Sequence, residues 1–71
     1  MTCATVNAQC RRLGHTERLY RYYGPGGTYF YWAGGEAARW HSTATFVTAI
    51  HHMTLSEWIA DLEQRKREAG Q

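Results

Sequence analysis

The first thirteen residues carry apolar side chains at the spacing of an amphipathic helix. These side chains recur at steps of three, four and three, on one helical face: Cys3, Val6, Cys10 and Leu13. Gly14 comes directly afterwards, and glycine commonly ends a helix. The pattern predicts a helix over residues 2–13 whose two cysteines pack as small apolar side chains in a core.

The next part of the chain changes to an aromatic pattern that is typical of strands. Residues 18–23 and residues 28–33 are rich in tyrosine and other aromatic side chains, which fit a pleated sheet. Between them lies Gly24-Pro25-Gly26-Gly27, the strongest turn signal in the chain. Two such runs around four turn residues predict a β-hairpin.

The segment that follows the hairpin is less regular. Gly34-Gly35 interrupts the pattern and is itself a signal for a further hairpin. One straight strand over residues 36–50 would be unusually long, so we expect a bend or bulge near Ser42. The β-branched side chains of Thr43–Ile50 favour a third strand, although the apolar positions there also fit one face of a helix.

The last segment has the clearest helical pattern. Thr54-Leu55-Ser56-Glu57 matches a capping box at the start, and Gly70 ends the helix. A narrow apolar stripe follows the cap: Leu55, Trp58, Ile59 and Leu62. Two acid-before-base pairs are spaced to stabilise the helix: Asp61 with Arg65, and Glu63 with Arg67. The basic residues 65–67 lie in its last turns, where they complement the helix dipole.

These elements predict a single domain over residues 1–71, because a chain of this length can build only one small core. The expected class is α+β: a small antiparallel sheet of three or four strands with an N-terminal and a C-terminal helix on one face, in the order α-β-β-β-α. The core expected beneath the helices consists of Leu19, Phe30, Trp32, Phe46, Ile50, Trp58, Ile59 and Leu62. The opposite face of the sheet is left without a covering element.

Composition and charge exclude several classes of protein. The chain is 44% hydrophobic, with 8 basic and 6 acidic residues, which is unlike a disordered tail or a strongly basic nucleic-acid condenser. No run approaches the roughly 18 apolar residues that a membrane-spanning helix needs, and the first nine residues make a poor secretory signal. Two cysteines are too few for a disulfide framework. We therefore expect a cytoplasmic protein with no membrane partner.

Candidate chemistry is sparse. So small a domain is expected to have little room for a cleft of about 300 Å³, the low end for ligand pockets, and Gly24–Gly27 lacks the ending of a phosphate-binding loop. A nucleophile pair of Cys10 with a histidine is the catalytic alternative. A zinc site would combine Cys3 and Cys10 with His15 and either His41 or His51, but a Cys-x6-Cys spacing is wide for structural zinc. The pair His51-His52 with Met53 is a further metal alternative, which adjacent strand positions disfavour. We expect no enzyme, no metal and no cofactor.

The hairpin instead carries residue types that dominate binding hot spots. Seven of the eight basic residues are arginines, and the chain also has five tyrosines and three tryptophans. Strand alternation predicts an outer patch on the uncovered face, formed by Arg18, Tyr20, Tyr22, Tyr29 and Tyr31. The full set expected to bind a partner is Arg18, Tyr20, Arg21, Tyr22, Tyr29, Tyr31 and Arg39. The alternative is that the tyrosines pack a thin core with their hydroxyls at its rim.

The charge distribution favours a protein partner. Residues 1–53 hold five arginines against two glutamates, which is a weak footprint for nucleic acid. We expect a non-enzymatic accessory or inhibitor protein that acts on a bacterial defence or regulatory complex. One alternative is nucleic-acid binding by the same weakly basic aromatic sheet, and a second is a homodimer seam. The element order resembles the double-stranded-RNA-binding domain, but the last helix begins with the acidic Leu55-Ser56-Glu57 where that domain carries lysines.

Overall fold

The structure of the protein is a computed structural model that describes residues 1–70. Its elements are α1 (Cys3–Arg12), β1 (Arg18–Gly24), β2 (Gly27–Ala33), β3 (Ala44–Thr45) and α2 (Leu55–Ala69). Short 3-10 helices, Ala37–Arg39 and Ile50–His52, precede β3 and α2 respectively. The three strands form one antiparallel sheet in the order β1-β2-β3. The α+β class and the predicted order α-β-β-β-α are therefore confirmed.

The end of α1 follows from its glycine. Gly14 has a φ of 85°, which lets the chain reverse so that the His15 N–H donates to the Cys10 carbonyl at 2.9 Å and the Gly14 N–H donates to Arg11 at 3.1 Å. These two bonds form a Schellman motif. Leu13 occupies the C-cap and is 49% exposed, so its predicted place on the buried stripe is wrong. Cys10 is buried, as the pattern predicted.

The capping box of α2 is confirmed and sets the start of that helix. The Glu57 N–H donates to Thr54 Oγ1 at 3.1 Å, and the Thr54 N–H donates to Glu57 Oε1 at 2.8 Å. The helix then buries Trp58, whose ring meets the rings of Phe30 and Trp32 edge-on at 5.5 and 6.4 Å between centroids. This aromatic contact holds α2 against the sheet.

The predicted hairpin is confirmed over its whole length. Its register runs from Arg18 opposite Ala33 to Gly24 opposite Gly27, which leaves Pro25 and Gly26 as the loop. Gly26 has a φ of 93°. A proline followed by a glycine with positive φ is the pattern of a type II turn, so the loop residues suit the reversal that they make.

The third strand is much shorter than the sequence predicts. Only Ala44–Thr45 pairs with β2, and most of Thr43–Ile50 is neither strand nor helix. The chain leaves the sheet after Thr45 because Ile50 is drawn towards α2, where its carbonyl accepts a hydrogen bond from Trp58 Nε1 at 2.9 Å. Phe46, predicted in the core, is 79% exposed, whereas Ile50 packs partly buried against the core.

The core lies between the helices and the inner face of the sheet. Its buried apolar residues are Val6, Cys10, Leu19, Phe30, Trp32, Ala37, Trp40, Trp58, Ile59 and Leu62. The sequence did not predict Ala37 and Trp40, which follow from a further correction. Gly34-Gly35 forms no hairpin; both glycines have positive φ and lead into the first 3-10 helix, which turns Ala37 and Trp40 inwards.

Candidate docking face

Four tyrosines lie together on the side of the sheet that faces away from both helices. We call Tyr20, Tyr22, Tyr29 and Tyr31 the tyrosine face. Leu19, Phe30 and Trp32 are buried beneath the helices, and strand alternation turns their neighbours to the opposite side. Tyr20 is 47% exposed and Tyr22 is 39% exposed, while the two tyrosines of β2 are half-buried between them and β3.

The hairpin register stacks these rings in pairs. Tyr20 lies opposite Tyr31 with 5.6 Å between ring centroids, and Tyr22 lies opposite Tyr29 with 4.6 Å. Tyr29 and Tyr31 are 6.3 Å apart along β2, which joins the two pairs into one ladder. Cross-strand aromatic pairs of this kind stabilise a sheet and fix the rings in place before any partner arrives.

Phe46 extends the tyrosine face at its β3 edge. Its ring centroid lies 5.4 Å from that of Tyr29, and most of its surface is open to solvent. The sequence pattern does not indicate this position, because a longer third strand would place Phe46 on the inner side of the sheet. A turn signal after Thr45, which would have shown the strand ending there, is absent from the sequence.

The three arginines predicted to join the tyrosines have other positions. Arg18 begins on the same side of β1 as Tyr20, but its Nη1 donates to the carbonyls of His15 at 2.8 Å and Glu17 at 2.7 Å. Arg21 lies on the opposite side of β1, and Arg39 lies on the 3-10 helix beyond β2, exposed. The structure thus brings together the four predicted tyrosines without the arginines.

A groove lies on the other side of the sheet, which corrects the expectation that so small a domain has little room for a cleft. Its volume is about 750 Å³, and it separates the first half of α1 from β1, β2 and residues 48–51. Cys3, Arg21 and Ile50 are among its lining residues. Burial raises the pKa of the Cys3 thiol, although Arg21 partly opposes this. A raised pKa leaves less of the reactive thiolate, which disfavours Cys3 as a nucleophile in this groove.

Burial raises the pKa of the Cys10 thiol as well, which leaves less thiolate for the alternative of a nucleophile pair with a histidine. Within residues 1–70, no three histidine, cysteine or acidic side chains converge closely enough to hold a metal ion. The same residues contain no helix long and apolar enough to cross a bilayer.

The core contains one charged residue that no sequence pattern predicts. Glu17 is fully buried, and its carboxylate accepts hydrogen bonds from the Glu36 N–H at 2.7 Å and from Lys66 Nζ at 3.1 Å. Burial alone would raise the pKa of Glu17, but the hydrogen bonds from Glu36 and Lys66 outweigh it and hold the pKa below its ordinary value. The Glu17–Lys66 pair joins the base of the hairpin to α2, on the side of the sheet opposite the tyrosine face.

No family model, curated protein or solved structure matches the chain at a significant level.

Proposed function

We propose that this protein binds another protein through the tyrosine face and acts as a non-enzymatic accessory or inhibitor of a bacterial defence or regulatory complex. The observation that carries the proposal is the ladder of four stacked tyrosines, extended by Phe46, on a side of the sheet that no described element covers. Small monomeric domains rarely leave a continuous aromatic surface open to water without a use for it.

The stacking makes these rings efficient binding groups. Tyrosine offers a large contact area with few rotatable bonds, and the rings of Tyr22 and Tyr29 are already held 4.6 Å apart. These tyrosine side chains therefore lose little conformational entropy when a partner binds them. The hydroxyl groups can take hydrogen bonds at the rim of such an interface, which suits a protein surface of mixed polarity.

The positions of the arginines favour protein over nucleic acid as the partner. Proteins that stack single-stranded bases combine aromatic rings with cations along the phosphate backbone. Here the guanidinium of Arg18 is turned towards His15 and Glu17, and Arg21 lies on the other side of the sheet. The stacked rings are left without an adjacent row of positive charge, which supports contact with an uncharged aromatic or aliphatic surface.

The test is a capture experiment with matched variants. The tagged protein, a Tyr29→Ala and Tyr31→Ala double variant, and a Tyr23→Ala control are each incubated with lysate of the native host. Tyr23 lies on the same hairpin, is 82% exposed and points to the opposite side of the sheet from the tyrosine face. We expect a protein that the wild type and the control retain and the double variant loses by at least tenfold. Loss of the stacked pairs should lower the free energy of unfolding by about 1–3 kcal/mol, so circular dichroism will still show a folded chain.

Two results would contradict the proposal. One is equal capture by all three proteins. The other is tight binding of single- or double-stranded oligonucleotides that weakens steeply between 50 and 200 mM salt, which would establish the nucleic-acid alternative.

A further inference from the structure

The outer edge of β1 presents backbone groups that no described residue satisfies. β1 is an edge strand, and the Asn7 side chain caps it at one point: Leu19 N–H donates to Asn7 Oδ1 at 2.6 Å, and Asn7 Nδ2 donates to the Leu19 carbonyl at 3.0 Å. Alternate residues of a strand face the same edge, so the N–H and C=O groups of Arg21 and Tyr23 also point away from β2. Nothing within residues 1–70 bonds to them.

We infer that a second copy of this chain pairs with that edge, β1 against β1, in an antiparallel arrangement about a two-fold axis at Tyr22. In this register Arg21 of each copy exchanges backbone hydrogen bonds with Tyr23 of the other. The two three-stranded sheets then become one continuous six-stranded sheet. Such a contact is isologous and closed, so it yields a dimer and no longer assembly.

The free groups fit this register and no neighbouring one. A shift of two residues in one direction places Arg21 opposite Arg21 of the second copy. Tyr23 then lies opposite Leu19 of the second copy, whose backbone groups are already bonded to Asn7. This shift would also place two like charges directly opposite each other, which is destabilising. A shift in the other direction sets Arg21 against Pro25, which has no N–H to donate. The two free residues of one copy therefore match the two free residues of the other.

The side chains complement each other in the same register. Arg21 and Tyr23 lie on the same side of β1, both exposed, and no acidic side chain of the described residues pairs with Arg21. Pairing would lay each guanidinium over the tyrosine ring of the other copy, a cation–π contact. Residues 18–23 contain no proline and no bulge, and Arg21, the charged side chain on the inner side of this strand, would lie opposite Tyr23 of the other copy in this register.

On the opposite side of the sheet, the pairing sets Tyr22 against Tyr22 of the second copy. The tyrosine faces of the two copies then form one ladder of twice the length, available to a larger or two-fold symmetric partner. The dimer does not depend on the proposed function, because the edge contact uses backbone groups and the other side of β1. A monomeric wild type would overturn the dimer and leave the proposal for the tyrosine face intact.

Sedimentation velocity of Tyr23→Pro and Thr28→Pro variants tests the edge. Tyr23 and Thr28 face each other across the hairpin, and the N–H of each points out of it on opposite edges. Neither proline removes a hydrogen bond between β1 and β2, but only the proline at position 23 removes a donor from the β1 edge. We expect a concentration-dependent dimer for the wild type and for Thr28→Pro, and a monomer for Tyr23→Pro. A wild type that stays monomeric throughout, or an equal effect of the two prolines, would refute the pairing.

A cysteine at the axis tests the register without relying on proline. In a Cys3→Ser background, Tyr22→Cys places two thiols in a close non-hydrogen-bonded pair, where mild oxidation should give a disulfide-linked dimer. The control Tyr20→Cys puts its two thiols about 13 Å apart along the strands, too far to bridge. Rapid crosslinking at position 22 and none at position 20 supports the register. Equal crosslinking at both positions, or none at position 22, contradicts it.

Discussion

At the scale of single residues, a glycine and a buried carboxylate depend on each other. Gly35 has a φ of 51°, and any Cβ there would collide with Glu17 Oε2 and Thr16 Oγ1. The glycine is thus required both by its backbone conformation and by the carboxylate beside it. Because the neighbouring Glu36 N–H donates to that carboxylate, the turn and the buried charge are one structure.

We predict that Gly35→Ala destabilises the fold far more than Gly14→Ala. Gly14 also has a positive φ, of 85°, but a Cβ there meets nothing within 4 Å. Gly14→Ala therefore suffers only the backbone strain of about 1–2 kcal/mol, whereas Gly35→Ala also displaces the Glu17 carboxylate from its partners, for a total of about 3–5 kcal/mol. Urea unfolding of the two variants measures the difference. Equal losses would show that Glu17 is not held where the structure places it.

At the scale of elements, one side chain of α2 holds the two-residue strand β3 in place. Arg65 Nη2 donates to the Ala44 carbonyl at 3.1 Å and to Thr45 Oγ1 at 3.0 Å, while its Nε donates to Asp61 Oδ2 at 2.9 Å. Asp61 Oδ2 also accepts from Trp32 Nε1 at 2.9 Å, so the same group ties α2 to β2. The predicted Asp61–Arg65 pair is confirmed. It positions the Arg65 side chain, whose hydrogen bonds hold the two-residue strand β3 in place.

The predicted effect of Arg65→Lys is a loose β3 in a domain that stays folded. Lysine has a single donor atom and cannot reach Asp61 and β3 together, so the free energy of unfolding should fall by about 1.5–3 kcal/mol. Hydrogen exchange should show faster exchange of the Trp32 amide, which donates to the Thr43 carbonyl at 3.0 Å. Arg67→Lys, at an exposed position of the same helix, serves as the control and should change neither quantity. Unchanged protection of Trp32 in Arg65→Lys would contradict the anchoring.

At the scale of the whole molecule, a charged network joins the end of α1, the base of the hairpin and α2. Lys66 Nζ lies 3.1 Å from Glu17 Oε1, 3.1 Å from His15 Nδ1 and 3.7 Å from Glu36 Oε2. His15 Nε2 in turn lies 3.5 Å from Glu63 Oε2. The predicted pairing of Glu63 with Arg67 is replaced by this contact. Lys66 thus links α2 to the end of α1 and to the base of the hairpin.

This network makes stability depend on pH, with a definite sign. The pKa of Glu17 is lower in the folded protein than its ordinary value of 4.5, so its contribution is complete above that value and is lost as the pH falls through the lowered pKa. Lys66→Met should cost about 3 kcal/mol at pH 7, because it leaves a buried carboxylate without its cation. The loss should shrink in acid, where Glu17 becomes protonated. Arg67→Met is the control; equal effects of the two variants, or a loss that persists at pH 2, would contradict the assignment.

Features that depend on near neighbours could be predicted from local residue patterns alone. The Thr54–Glu57 cap, the Gly24–Gly27 turn and the aromatic alternation of β1 and β2 each involve residues a few positions apart, so local propensity suffices to predict them. The four tyrosines of the candidate site follow directly from that alternation. Arg18 did not follow, because its long flexible side chain folds back from the face on which it begins.

Contacts between distant parts of the chain set which charges are buried, and they also set the path of Thr43–Ile50. Its β-branched residues favour a strand, but the contact of the Ile50 carbonyl with Trp58 pulls the chain off the sheet and exposes Phe46. Glu17 and Lys66 are 49 positions apart, and no local pattern relates them. Such contacts form only when separate elements pack together. Their energies then exceed the differences between the helix and strand propensities of single residues, which are roughly a few tenths of a kcal/mol.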